Sequence, residues 1–157
     1  MLRRGRRRRR TELVKFVGAV VVEGVDVERV WDFLTGAESA ALVFGDDAHG
    51  YVEPGTGPGV GEVQCFVHRV GESEHVHRVR VTHLDRPHVL VVSQLEQGVP
   101  WRTRYDVEPA PDGVRLTETW GAALAPGVRL TEDRDLQAEL DASLARVREL
   151  LTRPGSH

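Results

Sequence analysis

Residues 132–152, EDRDLQAELDASLARVRELLT, decide the fold. Leu136, Leu140, Leu144, Val147 and Leu151 recur at spacings of four, four, three and four, which draws one apolar stripe along an α-helix. Asp133, Arg134, Gln137, Glu139, Asp141, Arg146, Arg148 and Glu149 fall largely off that stripe, and Pro154-Gly155 supplies a stop signal beyond it. One face of the helix is therefore wet and the other buried. About twenty helical residues run roughly 30 Å, enough to cross a small domain. Nearly everything between Lys15 and Gly121 reads as β-strand, so the helix calls for a sheet that curves around it.

Working outward, Lys15–Glu23 (KFVGAVVVE) is a short β-branched run bounded by Gly24 and reads as a first strand. Asp26 can cap a helix in which Val27, Val30, Trp31 and Leu34 share a face, and Gly36 ends it. Ala37–Phe44 reads as a second short helix, closed by a Gly45-Asp46-Asp47 turn. The glycine-proline segment from Pro54 to Gly61 lacks the Gly-Lys-Ser/Thr ending and the strand-to-helix context of a phosphate loop, so it reads as a mobile loop entering a strand. Strands are then expected over 61–69, 75–83, 88–96, 101–108 and 114–121, joined by short turns that pair neighbours antiparallel. The fold class is α+β: a curved antiparallel sheet of about six strands wrapped around the long C-terminal helix, with two short helices after the first strand.

The 157 residues are 40% hydrophobic and 29% charged, an ordinary mixture for one globular domain. The single cysteine, Cys65, cannot form an internal disulfide, which fits a reducing cytoplasm or simply a protein that needs no bridge. No apolar run approaches the roughly 18 residues of a membrane span. The net charge of −3 conceals an asymmetry, because 7 of the 21 basic residues are arginines within the first ten positions, leaving 14 basic against 24 acidic elsewhere. That opening, MLRRGRRRRR, carries too much like charge to pack, so residues 1–12 are expected as a disordered tail and 13–153 as a single domain. Two readings of the tail stand side by side. It is either a phosphate-seeking arm that binds nucleic acid or anionic lipid without specificity, or a solvated extension from an early start codon in a high-GC genome. A secretory signal, with Phe16–Val22 as its apolar core, is opposed by Glu23 and by the lack of an A-x-A site.

The order of strand, two short helices, strand meander and long helix resembles the helix-grip fold of the START/Bet v 1-like (SRPBCC) superfamily, in particular its polyketide cyclase/dehydrase-like members. The resemblance rests on VERVWDFL at 27–34, PGVG at 58–61, VRVTHLDRP at 79–87 and YDVEP at 105–109, followed by DGVRLTETW at 112–120. It implies a deep apolar cavity between sheet and helix that holds a small hydrophobic molecule. It implies no reaction, because relatives include transporters, receptors, cyclases and chaperone-associated modules with no shared catalytic motif.

Alternation shows which residues would face such a cavity. Trp101, Thr103, Tyr105 and Val107 oppose Arg102, Arg104, Asp106 and Glu108, and Val114, Leu116, Glu118 and Trp120 oppose Arg115, Thr117 and Thr119. An even-length hairpin turn sets Tyr105 and Thr103 beside or diagonal to Leu116 and Glu118. Glu118 is then a carboxylate on an apolar face: either a rim residue hydrogen-bonded to Tyr105 or an arginine, or a buried acid-base group with a raised pKa. In the strand over 75–83, His75, His77, Val79, Val81 and His83 share a face. His77 is either a satisfied rim histidine or a proton acceptor. His75 and His77 have the geometry of a metal pair but no third ligand at a recognisable spacing, so no metal and no cofactor is expected. In the preceding strand the valine face of Val63, Cys65 and Val67 is expected inward, with His68 in solvent and Cys65 a plain core residue.

The catalytic candidates are Glu118, His77 and Tyr105. The ligand-lining candidates are Trp101, Thr103, Trp120, Leu116, Val79, Val81, Leu140 and Leu144, the aromatic members being equally readable as plain core. Three functions remain open. The first is binding of a small polyketide-, lipid- or sterol-like molecule; the second is a cyclase, aromatase or dehydratase acting in the same cavity, a lyase or isomerase; the third is a non-enzymatic interaction module. The expected partner is a small hydrophobic ligand, with no specific nucleic acid and a homodimer as the compatible assembly.

Overall fold

The computed structural model describes residues 10–96, 98–130 and 134–154. Its elements in order are β1 (Glu12–Glu23), α1 (Val27–Thr35), α2 (Ala37–Ala41), a 3-10 turn (Leu42–Phe44), β2 (His49–Val52), β3 (Val63–Val70), β4 (Ser73–Asp85), β5 (Val89–Gln94), β6 (Arg102–Ala110), β7 (Gly113–Leu124) and α3 (Leu136–Thr152). The seven strands form one antiparallel sheet in the order β1-β7-β6-β5-β4-β3-β2. The first strand closes on the last, so the chain ends of the sheet lie together under α3.

Leu140, Leu144, Val147 and Leu151 of the expected stripe have almost no exposure, as does Leu150 beside them, while Leu136 in the first turn is half-buried. Burying each of the former is worth about 1.5–3 kcal/mol relative to leaving it in water. The Asp135 carboxylate caps the helix by accepting from the Ala138 N–H at 3.0 Å. Residues 132 and 133 of the expected helix lie outside the described residues, as do residues 1–9 of the expected tail. At the other end Arg146 donates to Asp46 at 2.7 Å and to the Leu42 carbonyl at 3.3 Å, which ties the helix to the 3-10 turn. Asp26 caps α1 through the Arg29 N–H at 2.8 Å, and α1 buries Val30, Trp31, Phe33 and Leu34. Among the described residues no helix is long and apolar enough to cross a membrane.

The structure departs from the sequence reading in four places. The sheet gains β2, a four-residue edge strand too short to show alternation. The expected helix over 37–44 divides into α2 and the 3-10 turn. In β3 the inner face is Gln64, Phe66 and His68, not Val63, Cys65 and Val67. The turn to β4 is the two-residue Gly71-Glu72, since Val70 pairs with Ser73, and this even count places Phe66 opposite His77 and Gln64 opposite Val79. The outward Cys65 is nonetheless buried between its neighbours Tyr51 and Arg78, the latter held by Glu53 at 2.6 Å. The fourth departure is a bulge in β4: Val81 pairs with Val92 but His83 with Val91, so Thr82 is extra and His83 turns to the exposed outer face.

Candidate functional site

The inner face of the sheet can be followed row by row, because residues directly opposite in an antiparallel ladder project to the same side. One row runs Gly18, Glu118, Tyr105, Leu90, Leu84 across β1, β7, β6, β5 and β4. The next runs Phe16, Trp120, Thr103, Val92, Val81. On the other side of the Glu118 row lie Val20, Leu116 and Val107. Helix α3 crosses over the β1 end of these rows. A side chain at Gly18 would collide with Leu140 and stand 2.8 Å from Leu144, so the glycine is what lets the helix approach. Leu140 and Leu144 thus roof the position next to Glu118.

Glu118 is 2% exposed. The Trp120 indole N–H donates to its Oε1 at 2.9 Å, while Oε2 has no hydrogen-bond partner. Burial pushes the Glu118 carboxyl up from its ordinary value of 4.5 to about 7; the Trp120 N–H and the Tyr105 hydroxyl opposite hold back the rise, the latter without closing a bond on Oε2. The same burial, reinforced by the Glu118 charge, raises Tyr105 well above its usual value, so the phenol keeps its proton. The pair therefore offers a carboxyl that exchanges protons near neutrality beside a fixed O–H donor.

His77 is elsewhere. It stands seven positions along β4 from Leu84, the β4 member of the Glu118 row, which is roughly 20 Å along the strand and three strands across. Its Nδ1 lies 2.9 Å from a Glu96 carboxylate oxygen, and Glu96 also accepts from Gln94 at 2.6 Å and from the Arg78 N–H at 2.8 Å. The ring stacks on Phe66 at 6.3 Å. Beside it His68 stacks on Phe44 at 4.7 Å and on His75 at 5.9 Å, so His68 is not the solvent residue expected. Val79 and Trp101 lie between this cluster and Glu118, Trp101 packing on Phe16 at 6.2 Å. Among the described residues no group of three His, Cys, Asp or Glu side chains is arranged to hold a metal ion.

Burial, and then the charges of His75 and His77, lower the His68 pKa below 6.5. The folded chain then binds fewer protons than the unfolded one, so this contribution to stability is present above pH 6.5 and lost as pH falls through it. Replacing His68 by Gln is expected to flatten the acid side of the Tm-against-pH curve below pH 6.5, measured by thermal denaturation; an unchanged slope would refute the assignment.

A cavity of about 290 Å³ opens between Trp31 of α1, the loop residues Pro58 and Gly59, and Val81, Leu84 and Leu90 of the sheet. Of the expected lining residues only Val81 borders it. Its floor residue Leu90 pairs with Tyr105, which pairs with Glu118, so one side chain separates the cavity floor from the carboxyl. At the rim Arg86 is held by Glu28 at 2.8 Å, and the buried Gln64 amide donates to Glu62 at 2.8 Å and to the Thr35 carbonyl at 2.7 Å.

No family model and no curated protein matches this sequence. Solved structures do match it in shape. Ara h 8.0201 is 9% identical with a TM-score of 0.69, covering 89% of this chain and 98% of that one. Truncated norcoclaurine synthase from Thalictrum flavum is 17% identical with a TM-score of 0.67, covering 92% and 97%. The di-domain ARO/CYC BexL from the BE-7585A biosynthetic pathway is 18% identical with a TM-score of 0.67, covering 90% of this chain and 51% of that one. The chain has the Bet v 1-like helix-grip fold.

Within the helix-grip frame, the structure brings Glu118, Tyr105, Trp120, Thr103, Leu116, Leu140 and Leu144 to one place and leaves His77 out. Sequence reasoning missed Gly18, although a glycine inside a β-branched strand signals a close approach. It also missed Trp31, Leu84 and Leu90 as cavity walls and Glu96 as the partner of His77. Those depend on the α1 approach and on the bulge at Thr82, for which the local pattern carries no signal.

Proposed function

We propose that the protein binds a small, mainly apolar molecule carrying a hydroxyl or carbonyl group, with that group directed at Glu118. The observation that carries this reading is the Glu118 Oε2 atom, buried under α3 with no hydrogen-bond partner. A buried polar atom is normally satisfied, so one left open in an apolar setting offers a place where the polar group of a ligand can complete it. The cavity beside Leu90 supports an approach from the α1 side, at the small end of the usual range for ligand pockets. Residues 13–153 act in this reading as a single ligand-holding domain in the cytoplasm, where the lone and buried Cys65 needs no oxidant.

A second reading follows from the carboxyl itself. A group titrating near 7 beside a protonated phenol suits proton abstraction next to a carbonyl: Glu118 would take the proton, and the Tyr105 O–H would donate to the enolate oxygen. The norcoclaurine synthase and ARO/CYC neighbours are, by their descriptions, a synthase bound to a transition state analogue and a biosynthetic aromatase/cyclase, which supports a cyclase, aromatase or dehydratase reaction as the alternative.

Native mass spectrometry of the purified protein, followed by denaturing extraction, tests the binding reading. A retained small molecule with an apolar body and an oxygen function is the expected result. An empty protein with no thermal shift across polyketides, sterols and fatty acids would refute it. With a ligand in hand, a Glu118→Gln variant separates the two readings: lost turnover with affinity retained assigns chemistry, whereas lost affinity with no turnover in either protein assigns binding alone.

A further inference from the structure

We infer that the free edge of β1 is a self-association surface, on which two copies pair antiparallel with Ala19 opposite Ala19. β1 is a twelve-residue strand at the end of the sheet, and among the described residues β7 is its one strand partner. A long edge strand presents unpaired N–H and C=O groups that template another strand. Its outward residues are apolar to an unusual degree: Leu13, Val17 and Val21 are 81%, 46% and 41% exposed, and Ala19 is exposed between them.

Backbone parity fixes which residues can pair. The Gly24 N–H bonds the Asp112 carbonyl on the β7 side, so the even-numbered residues of β1 face β7 and the odd-numbered ones face the open edge. The Val17 carbonyl, on the open side, accepts instead from the Gln137 side chain of α3 at 3.0 Å. A carbonyl has two lone pairs, so this contact leaves one for a strand arriving in the plane of the sheet.

Charge selects the register. Lys15 and Glu23 both lie on the outer face of β1, and neither has an ion-pair partner among the described residues. Pairing Ala19 with Ala19 sets Val17 opposite Val21 and Lys15 opposite Glu23, twice by symmetry, and all of these are odd-numbered. Shifting the register by two residues either way opposes Lys15 to an apolar residue or leaves it beyond the overlap. The occupant that fits this edge is therefore a second copy of the chain, in an isologous dimer whose two sheets become continuous.

Sedimentation equilibrium of the full chain, up to about 100 μM because an edge pairing of this length is a small interface, tests the inference. A reversible dimer is expected. Lys15→Glu or Glu23→Lys alone turns both ion pairs into like-charge contacts and should weaken it about tenfold, while the double exchange restores it. Ala19→Pro removes an N–H that faces the open edge, not β7, and should abolish the dimer with the circular dichroism spectrum retained. A chain that stays monomeric throughout would overturn the inference. So would a dimer indifferent to the single charge changes, or one that the double exchange fails to restore.

Discussion

Glu118→Gln is expected to stabilise the protein at pH 8 by about 3 kcal/mol more than it does at pH 4.5, judged against the parent at each pH. The figure follows from the carboxyl being pushed from 4.5 to about 7, at about 1.4 kcal/mol per pKa unit. The sign is set by a folded-state pKa above the unfolded one. The contribution of Glu118 is fully present below pH 4.5, declines as pH rises through about 7, and is absent above. The amide keeps an oxygen for the Trp120 N–H, and its NH2 group takes the place of the protonated Oε2, so the two proteins should be close in stability at pH 4.5. His68 titrates in both and cancels in the difference. Urea unfolding of ligand-free parent and variant at the two pH values measures the effect, and parallel stability-pH curves would show that Glu118 does not carry a raised pKa. A penalty of this size at neutral pH is a cost in folding that an apolar residue would avoid, and such costs concentrate at functional sites.

How much of this was readable beforehand varied with the physics of each element. Leu140 and Leu144 were legible because an amphipathic helix writes its buried face into a fixed spacing. That Tyr105 and Glu118 share a face followed from clean alternation on both strands, but the sequence left them beside or diagonal to each other; the two-residue turn Pro111-Asp112, set by the pairing of Ala110 with Gly113, is what makes them direct partners. That same alternation fails in β3, where Val63, Gln64, Cys65, Phe66 and Val67 are all buried: with both faces covered, apolarity no longer tells inside from outside, and only the turn count decides. The bulge at Thr82 reverses His83 without a glycine to announce it. The carboxyl was visible as a lone charge on an apolar face, but its unpaired oxygen was not, since that depends on how the neighbouring strands and α3 close around it.

Leu140→Ala should destabilise the protein by about 2–5 kcal/mol, and the way it does so tests the roof over Glu118. Leu140 is fully buried and presses on Gly18, the residue paired with Glu118. Truncation leaves a gap next to a carboxylate oxygen that lacks a partner, and a polar gap of that size fills with water. Hydration favours the charged form, so the Glu118 carboxyl should fall back toward 4.5 and the pH dependence tied to it should shrink. Leu151→Ala, near the other end of the same buried stripe, removes an equivalent side chain away from Glu118 and should destabilise comparably with that pH dependence intact. If the two variants lose stability equally and both keep it, α3 is only a hydrophobic lid and Glu118 is dry for some other reason. If the dependence collapses in Leu140→Ala alone, then what holds the carboxyl near neutrality is the contact between this one leucine and the glycine beneath it.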